Sequence, residues 1–390
     1  MIYRRRDPSH VYSAIRRPAF KGTAIPPLEI ISSNAFSRLQ SQNPRNWYHS
    51  YRNCSDEGVT GYIGGQIFHD LVQLKNPNYD LTALIRDEER AAKLRNLAGV
   101  KTVLGDLDSP NLPEIASEFD VVLHTASSDH PVGAAALANG LEQRATTSAR
   151  KPLLIHTSGT GVLCDDAYGR FASDVVYTDE EMSLYHSLPP TAWHKNVDDV
   201  VFAAADRGKI DCLIICPPLI WGLGHGIFKK HSIQIPAIAS AYMSAGKAYT
   251  IEDGAELWVC VNILDISQLY LIVLDAAIQG KIPKDPRERY YFGESAEFVF
   301  KDAAQAVADE LYARGKLGSA KVEKVPMDGD HELVQRIALT ALGHNSRSKA
   351  VKARKLGWKP VNGGVEGFIA DAKNSVDYAI HLADGVPLKY

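Results

Sequence analysis

The chain has 390 residues, 45% of them hydrophobic and 23% charged, with a formal net charge of −3 at pH 7. That length can bury a substantial core in a main domain with a smaller lobe, while a near-neutral balance gives no footing for nucleic-acid binding, which rests on a basic face. No apolar run reaches the ~18 residues that span a bilayer, so no membrane partner is expected. The five cysteines, at 54, 164, 212, 216 and 260, form no ligand cluster and read as buried thiols.

Residues 1–50 stand apart. Arg4-Arg5-Arg6, Arg16-Arg17 and Lys21 give a basic start, followed by a Pro/Ser/Asn-rich stretch of weak periodicity. This reads as an atypical, flexible segment on a cytoplasmic protein. Scarce acids leave a mitochondrial address as the alternative, although the prolines make a poor amphipathic helix. Next comes Gly58-Val-Thr-Gly-Tyr-Ile-Gly-Gly65, whose glycines at 58, 61 and 64 suit a tight strand-to-helix turn. Such a turn lays a pyrophosphate on exposed backbone N–H groups. The helix is expected to start near Ile63 and to present Ile67, Phe68, Leu71 and Val72 to a sheet. Tyr51–Glu57 does not read as the hydrophobic strand that should precede such a loop.

From Tyr79 the elements alternate. Strands are predicted at 79–85, 100–104, 120–125, 152–156 and 211–216, with helices at 88–97, 112–117, 132–147 and 197–205 between them. The pattern is α/β, a Rossmann-like doubly wound parallel sheet with helices on both faces. After Pro217-Pro218 the rhythm changes, with a Gly/His-rich loop at 222–226, a helix at 236–245, a sheet-like stretch at 258–265 and a helix at 266–277. A short strand at 289–292 and helices at 300–314 and 365–383 follow. The expected organisation is a nucleotide-binding domain over 51–222, an insertion from the substrate lobe over 223–257, a return to the sheet over 258–299 and a C-terminal substrate lobe over 300–390.

The candidate dinucleotide site follows from this order. Gly58, Thr60, Gly61, Tyr62, Ile63 and Gly64 form the pyrophosphate turn. Arg86, just past the next strand, offers charge-assisted donors to a 2′-phosphate, which favours NADP over NAD, although the adjacent Asp87 suits free ribose hydroxyls. Asp106 and Leu107 are placed to hold adenine, and Thr125, Ala126 and Pro217 to line the nicotinamide end. Ser158 and Thr160, in His156-Thr-Ser-Gly-Thr-Gly161, are candidate donors to a carbonyl or oxyanion. His194 is a candidate for proton transfer near neutral pH, and Lys195 for the nicotinamide ribose. Tyr168, Tyr177 and Tyr185 are alternative proton donors that spacing does not separate. His124 and His156 lack a third ligand at metal spacing, so no metal is expected and both read as satisfied strand-end histidines.

These motifs, in this order, resemble the extended or atypical short-chain dehydrogenase/reductase superfamily, in its NAD-dependent epimerase/dehydratase-like branch. The resemblance runs from Gly58 to the C terminus and is strongest to uncharacterised fungal members carrying His-Thr-Ser-Gly-Thr-Gly. It implies NAD(P), a small-molecule substrate, and dehydrogenase, reductase, epimerase or dehydratase chemistry built on Ser with Tyr-x-x-x-Lys. Lys195 matches that lysine, but Thr191 occupies the tyrosine position. Tyr312-Ala-Arg-Gly-Lys316 has the spacing in a distal helix. The expected function is therefore an NAD(P)-dependent oxidoreductase for a small carbonyl or alcohol, with a non-standard proton donor. The alternatives are a dinucleotide-binding regulatory protein or an epimerase/dehydratase.

Overall fold

The computed structural model describes residues 58–385, apart from 77, 97–99, 339 and 341, together with 388. The N-terminal segment, residues 51–57, where a first strand should precede the glycine turn, and Cys54 lie outside the described residues.

In chain order the strands are β1 Leu81–Ile85, β2 Val100–Leu104, β3 Val121–His124, β4 Leu153–Thr157, β5 Tyr177–Thr178, β6 Asp211–Cys216, β7 Leu219–Trp221, β8 Ala248–Ile251, β9 Leu257–Asn262, β10 Tyr290–Phe292, β11 Ala296–Val299, β12 Val322–Val325 and β13 Ser348–Lys349. β1 pairs with β2 in parallel, and a second parallel block runs β10-β6-β4-β3. β1, β3 and β4 are buried along their whole length, which is why they appear in the sequence as mostly apolar runs with polar residues at Thr82, His124, His156 and Thr157. Helix Tyr62–Leu74 packs against helix Ile263–Ile278, and helix Pro131–Arg144 packs against Leu112–Ala116 and Lys195–Asp206. The Gly58 amide donates to the Thr125 carbonyl (3.0 Å) and the turn Gly58–Thr60 touches β1. The glycine turn thus sits at the seam between the two blocks.

Elements with their own local signals fall where periodicity puts them. β2 and β6 carry the expected bounds, and helix Glu88–Arg95 begins at Asp87, whose carboxylate accepts the Arg90 amide (2.8 Å). The stretch at 258–265 differs from expectation. β9 does not rejoin the main sheet; it pairs in parallel with β7 and antiparallel with β11, and β10 is the strand that returns to β6. Pro217-Pro218 offers no N–H to continue the β6 ladder, so the chain restarts as β7 in a separate sheet. Helix Ile263–Ile278 starts three residues before the expected Ile266, because the Asn262 side chain caps it through the Leu264 amide (2.9 Å). The terminal helix is two, Gly364–Ala370 and Ala372–Asp384.

A second core gathers Trp221, Tyr242, Tyr249, Trp258 and Phe300 beneath helices Gln234–Ala245, Phe300–Ala313 and Ala372–Asp384. Segment 350–358 crosses back, placing Ala350, Ala353 and Trp358 in the core of the main sheet. Asp265 accepts the amides of Val361 and Asn362, which ties helix Ile263–Ile278 to the C-terminal stretch.

Candidate functional site

The glycine turn has the shape of an anion cradle. Gly58 adopts φ 86°, in the region that favours glycine. Gly61 caps helix Tyr62–Leu74 without a side-chain hydrogen bond, so the amides of the helix's first turn, which have no intrahelical partner, are left to an anion. A Cβ at Gly64 would collide with the Gly58 carbonyl oxygen and Thr125 Oγ1. Thr60 Oγ1 is buried in this turn without a hydrogen-bond partner. An orphaned hydroxyl beside open helix amides fits a bound pyrophosphate. Gly64→Ala is accordingly expected to abolish measurable NAD(P)H binding in calorimetry while leaving a cooperative unfolding transition. Binding at unchanged affinity would remove the turn from the site.

The remaining residues of the turn divide. Tyr62 donates its hydroxyl to the Gly222 carbonyl and stacks the helix start against the second lobe; burial, then the charge of Asp371, pushes its pKa well up. Ile63 packs against the main core. Arg86 is exposed just past β1. Asp87, its neighbour, is engaged as a helix cap and lies 3.6 Å from the Arg90 guanidinium. Asp106 accepts the Ser109 hydroxyl (2.8 Å) and the Asp108 amide (3.1 Å), so its carboxylate is folded into its own turn. Leu107 is buried beneath Gly133, where a Cβ would stand 2.7 Å from its own. Thr125 and Ala126 are buried just past β3, with Thr125 Oγ1 against Gly64.

At the carboxyl ends of β4 and β6 a polar cluster is sealed from solvent. Ser158 Oγ (2.8 Å), Tyr185 Oη (2.6 Å) and Tyr290 Oη (3.3 Å) all donate to Asp198 Oδ2. His156 Nε2 stands 3.6 Å from Asp198 Oδ1, and His156 Nδ1 lies 2.8 Å from His124 Nδ1. Burial raises the Asp198 carboxyl to about 6 against the opposing hydrogen bonds of Tyr185 and Ser158, and lowers His124 to about 3. Both imidazoles are therefore neutral at pH 7, and each keeps a buried Nε2 without a hydrogen-bond partner. This corrects the expectation of satisfied strand-end histidines: they satisfy each other on one side only, because the 32-residue connection brings two adjacent strand ends together. Tyr185, whose pKa burial and then Asp198 drive far up, is withdrawn from proton exchange.

His194 lies outside that sealed cluster and is partly exposed. It has φ 63° at the start of helix Lys195–Asp206, and its Nδ1 lies 2.7 Å from Asp129 Oδ1. Burial raises the Asp129 carboxyl, but the hydrogen bond and charge of His194 outweigh it and hold the acid below its ordinary value. His194 Nε2 lies over the Gly159–Gly161 turn, where a Cβ at either glycine would come within 3.2 Å of it. Lys195 is buried, its ammonium paired with Asp199 and 5.4 Å above the Tyr185 ring. Thr160 donates its amide to the Pro217 carbonyl (3.0 Å), and its own carbonyl accepts the Ser346 hydroxyl (2.6 Å); its Oγ1 is buried and unpartnered. Thr191 is exposed, and Tyr312 projects from the second lobe at 53% exposure.

The structure thus brings His194, Gly159, Gly161 and Thr160 together, and turns Ser158 and Tyr185 inward. Sequence reasoning missed Asp129 and Asp198. Asp198 had a signal, since it shares the apolar phase of Val197 and Val201 on its helix; Asp129 had none, because only tertiary folding lays its loop against His194. Among the described residues no helix is long and apolar enough to cross a membrane, and no cluster of three or more His, Cys, Asp or Glu is arranged to hold a metal.

Comparisons with known proteins agree with this architecture. Residues 58–219 match the NAD(P)H-binding family model. The chain is 27% identical over 330 residues to the oxidase ucsJ of an Acremonium species, covering 78% of this chain and 91% of that one. It is 24% identical over 314 residues to an uncharacterised protein of Schizosaccharomyces pombe, covering 78% and 94%. Among solved structures, the dTDP-glucose 4,6-dehydratase DesIV of Streptomyces venezuelae, with NAD bound, superposes at a TM-score of 0.58 with 16% identity, covering 92% of this chain and 98% of its own. The UDP-glucose 4-epimerase of Thermotoga maritima superposes at 0.57 with 14% identity, covering 92% and 100%. Residues 58–219 thus match an NAD(P)H-binding domain, in a chain that shares its fold with the NAD-bound dehydratase and the epimerase.

Proposed function

We propose that the protein is an NAD(P)-dependent oxidoreductase acting on a small carbonyl or alcohol substrate, in which His194 exchanges the proton at the substrate oxygen. The observation that carries this reading is the His194–Asp129 pair over Gly159 and Gly161 at the strand ends. Asp129 holds Nδ1 and stabilises the imidazolium, so proton exchange falls to Nε2, on the side of the glycine turn. NAD(P), when bound, supplies or accepts the hydride. The turn Gly58–Gly64 holds the pyrophosphate, and Lys195, at the start of its helix, meets the nicotinamide ribose by exchanging Asp199 for its hydroxyls. Ser158 and Thr160 shape the strand end around Asp198 and Pro217.

The engagement of Asp87 as a helix cap supports NADP(H), because the acid beside Arg86 is then withdrawn from the ribose. Charge-assisted hydrogen bonds contribute about 1.5–3 kcal/mol. Arg86→Ala should thus weaken NADPH binding by roughly tenfold or more and leave NADH binding unchanged in parallel calorimetric titrations. An equal loss for both would remove Arg86 from the 2′-phosphate.

The inward turn of Ser158 and Tyr185, with Thr191 at the usual tyrosine position, favours one second reading: a dinucleotide-binding regulatory protein without turnover. NADPH consumption with a panel of ketones and aldehydes, followed by absorbance, separates the two. Turnover supports the oxidoreductase; tight NADPH binding with no turnover across the panel favours the regulator.

A further inference from the structure

We infer that the substrate of this site is a flat, uncharged aromatic or conjugated carbonyl compound, or its alcohol, stacked on the indole of Trp193. The inference deepens the oxidoreductase reading and rests on His194 marking the reacting end of the cleft. Trp193 precedes His194 and is 44% exposed, whereas Trp221, Trp258 and Trp358 are buried. Its position is fixed by the backbone: a Cβ at Gly161 would come 3.2 Å from the indole edge and 3.2 Å from His194 Nε2 at once. The imidazole therefore packs on both glycines and the indole on Gly161, which holds the two rings next to each other at the strand end while the indole stays part-exposed.

A second aromatic layer backs the indole. The His344 ring lies 6.3 Å from Trp193 in an edge arrangement and 4.7 Å from the ring of Tyr168. Tyr168 is held there with φ 44°, and Gly169 after it has no room for a side chain against the Ile251 carbonyl. His344 is pinned through Nδ1 to the Asp165 carbonyl, and its own carbonyl accepts the Trp258 indole N–H. A rigid exposed indole with a fixed aromatic backing is a stacking platform that costs little side-chain entropy on binding.

The charges argue against an anionic substrate. Asp129 stands at the His194 end, and Asp165 and Asp166 begin the loop that carries Tyr168. The nearby cations are engaged: Arg170 donates to the carbonyls of Ala167 (2.9 Å) and Asp166 (2.6 Å), and Lys195 pairs with Asp199. Asp129 is held by His194 and Asp165 by Asn345, but both keep negative charge at this end, so a nucleoside diphosphate sugar entering here would meet acids while the cations just named are engaged elsewhere.

The test is calorimetry of the NADPH-loaded full chain with 2-acetonaphthone, cyclohexyl methyl ketone and UDP-glucose, on the unmodified protein and on Trp193→Ala and Trp193→Phe. Saturable binding of 2-acetonaphthone is expected, at least tenfold tighter than the cyclohexyl ketone, falling about tenfold in Trp193→Ala and recovering in Trp193→Phe. Unchanged NADPH binding by both variants excludes misfolding as the cause. Tighter binding of UDP-glucose, absence of 2-acetonaphthone binding, or equal affinity in Trp193→Ala would each overturn the inference. The readout is binding, so the two failures are distinguishable: undiminished turnover in a His194 variant with stacking intact is failure of the proton-donor reading alone, and loss of 2-acetonaphthone binding with NADPH binding intact is failure of this inference alone.

Discussion

Replacing His194 with Asn should reduce carbonyl turnover by ~10²–10⁴-fold, the usual contribution of a positioned general acid, with NADPH affinity comparable to the unmodified chain. Asn is the informative substitution because position 194 has φ 63°, and Asn tolerates the left-handed region better than most residues. The helix start is then preserved while the exchangeable proton is lost. Asp129→Asn should lower turnover less, since the imidazole stays in place but its cationic form loses the carboxylate that stabilises it. Steady-state rates on the best ketone from the panel, with calorimetry of NADPH alongside, decide the matter. Undiminished turnover in His194→Asn would move the proton to Tyr168 or Tyr177, the two half-buried candidates.

The second large effect concerns stability. Glu256 is fully buried, neither carboxyl oxygen has a hydrogen-bond partner, and burial followed by the charge of Asp165 raises its pKa to about 8. In the unfolded chain the same group titrates near ~4.3. The folded protein therefore binds this proton more tightly than the unfolded chain. Its contribution is fully present below about pH 4, declines as pH rises between the two values, and is gone once the folded carboxyl ionises above about 8. At ~1.4 kcal/mol per unit the span is on the order of several kcal/mol, a large share of a typical net stability of about 5–15 kcal/mol. Glu256→Gln should melt close to the unmodified protein at pH 6 and several degrees above it at pH 9. Parallel melting curves that keep the same separation at every pH would show that Glu256 stays ionised or hydrated in the fold.

Asp198 illustrates how a buried acid can escape sequence reading. It lies three residues after Lys195, where the resemblance to Tyr-x-x-x-Lys enzymes draws attention to positions 191 and 195, and its neighbour Asp199 is the residue that meets Lys195. Three hydroxyls donate to one Asp198 oxygen, two of them from residues 40 and 92 positions away in the chain. A serine predicted to face a carbonyl is thereby turned into the protein, and a tyrosine predicted as a proton donor is locked as a phenol. The Asp106 carboxylate went the same way, into its own Ser109 turn, and Leu107 into the core.

The sequence by itself determined the parallel α/β order, the glycine turn, the bounds of β2 and β6, and the position of Lys195 and His194 at a helix start, because each rests on signals within a few residues: apolar runs, small residues at a turn, a break in periodicity. Only the tertiary structure decided which polar groups share a cleft and which close on one another. β9 chose β7 over the main sheet, Asp129 chose His194, and Ser158 chose Asp198 through contacts between segments far apart in the chain, where burial and hydrogen-bond demand outweigh any local preference.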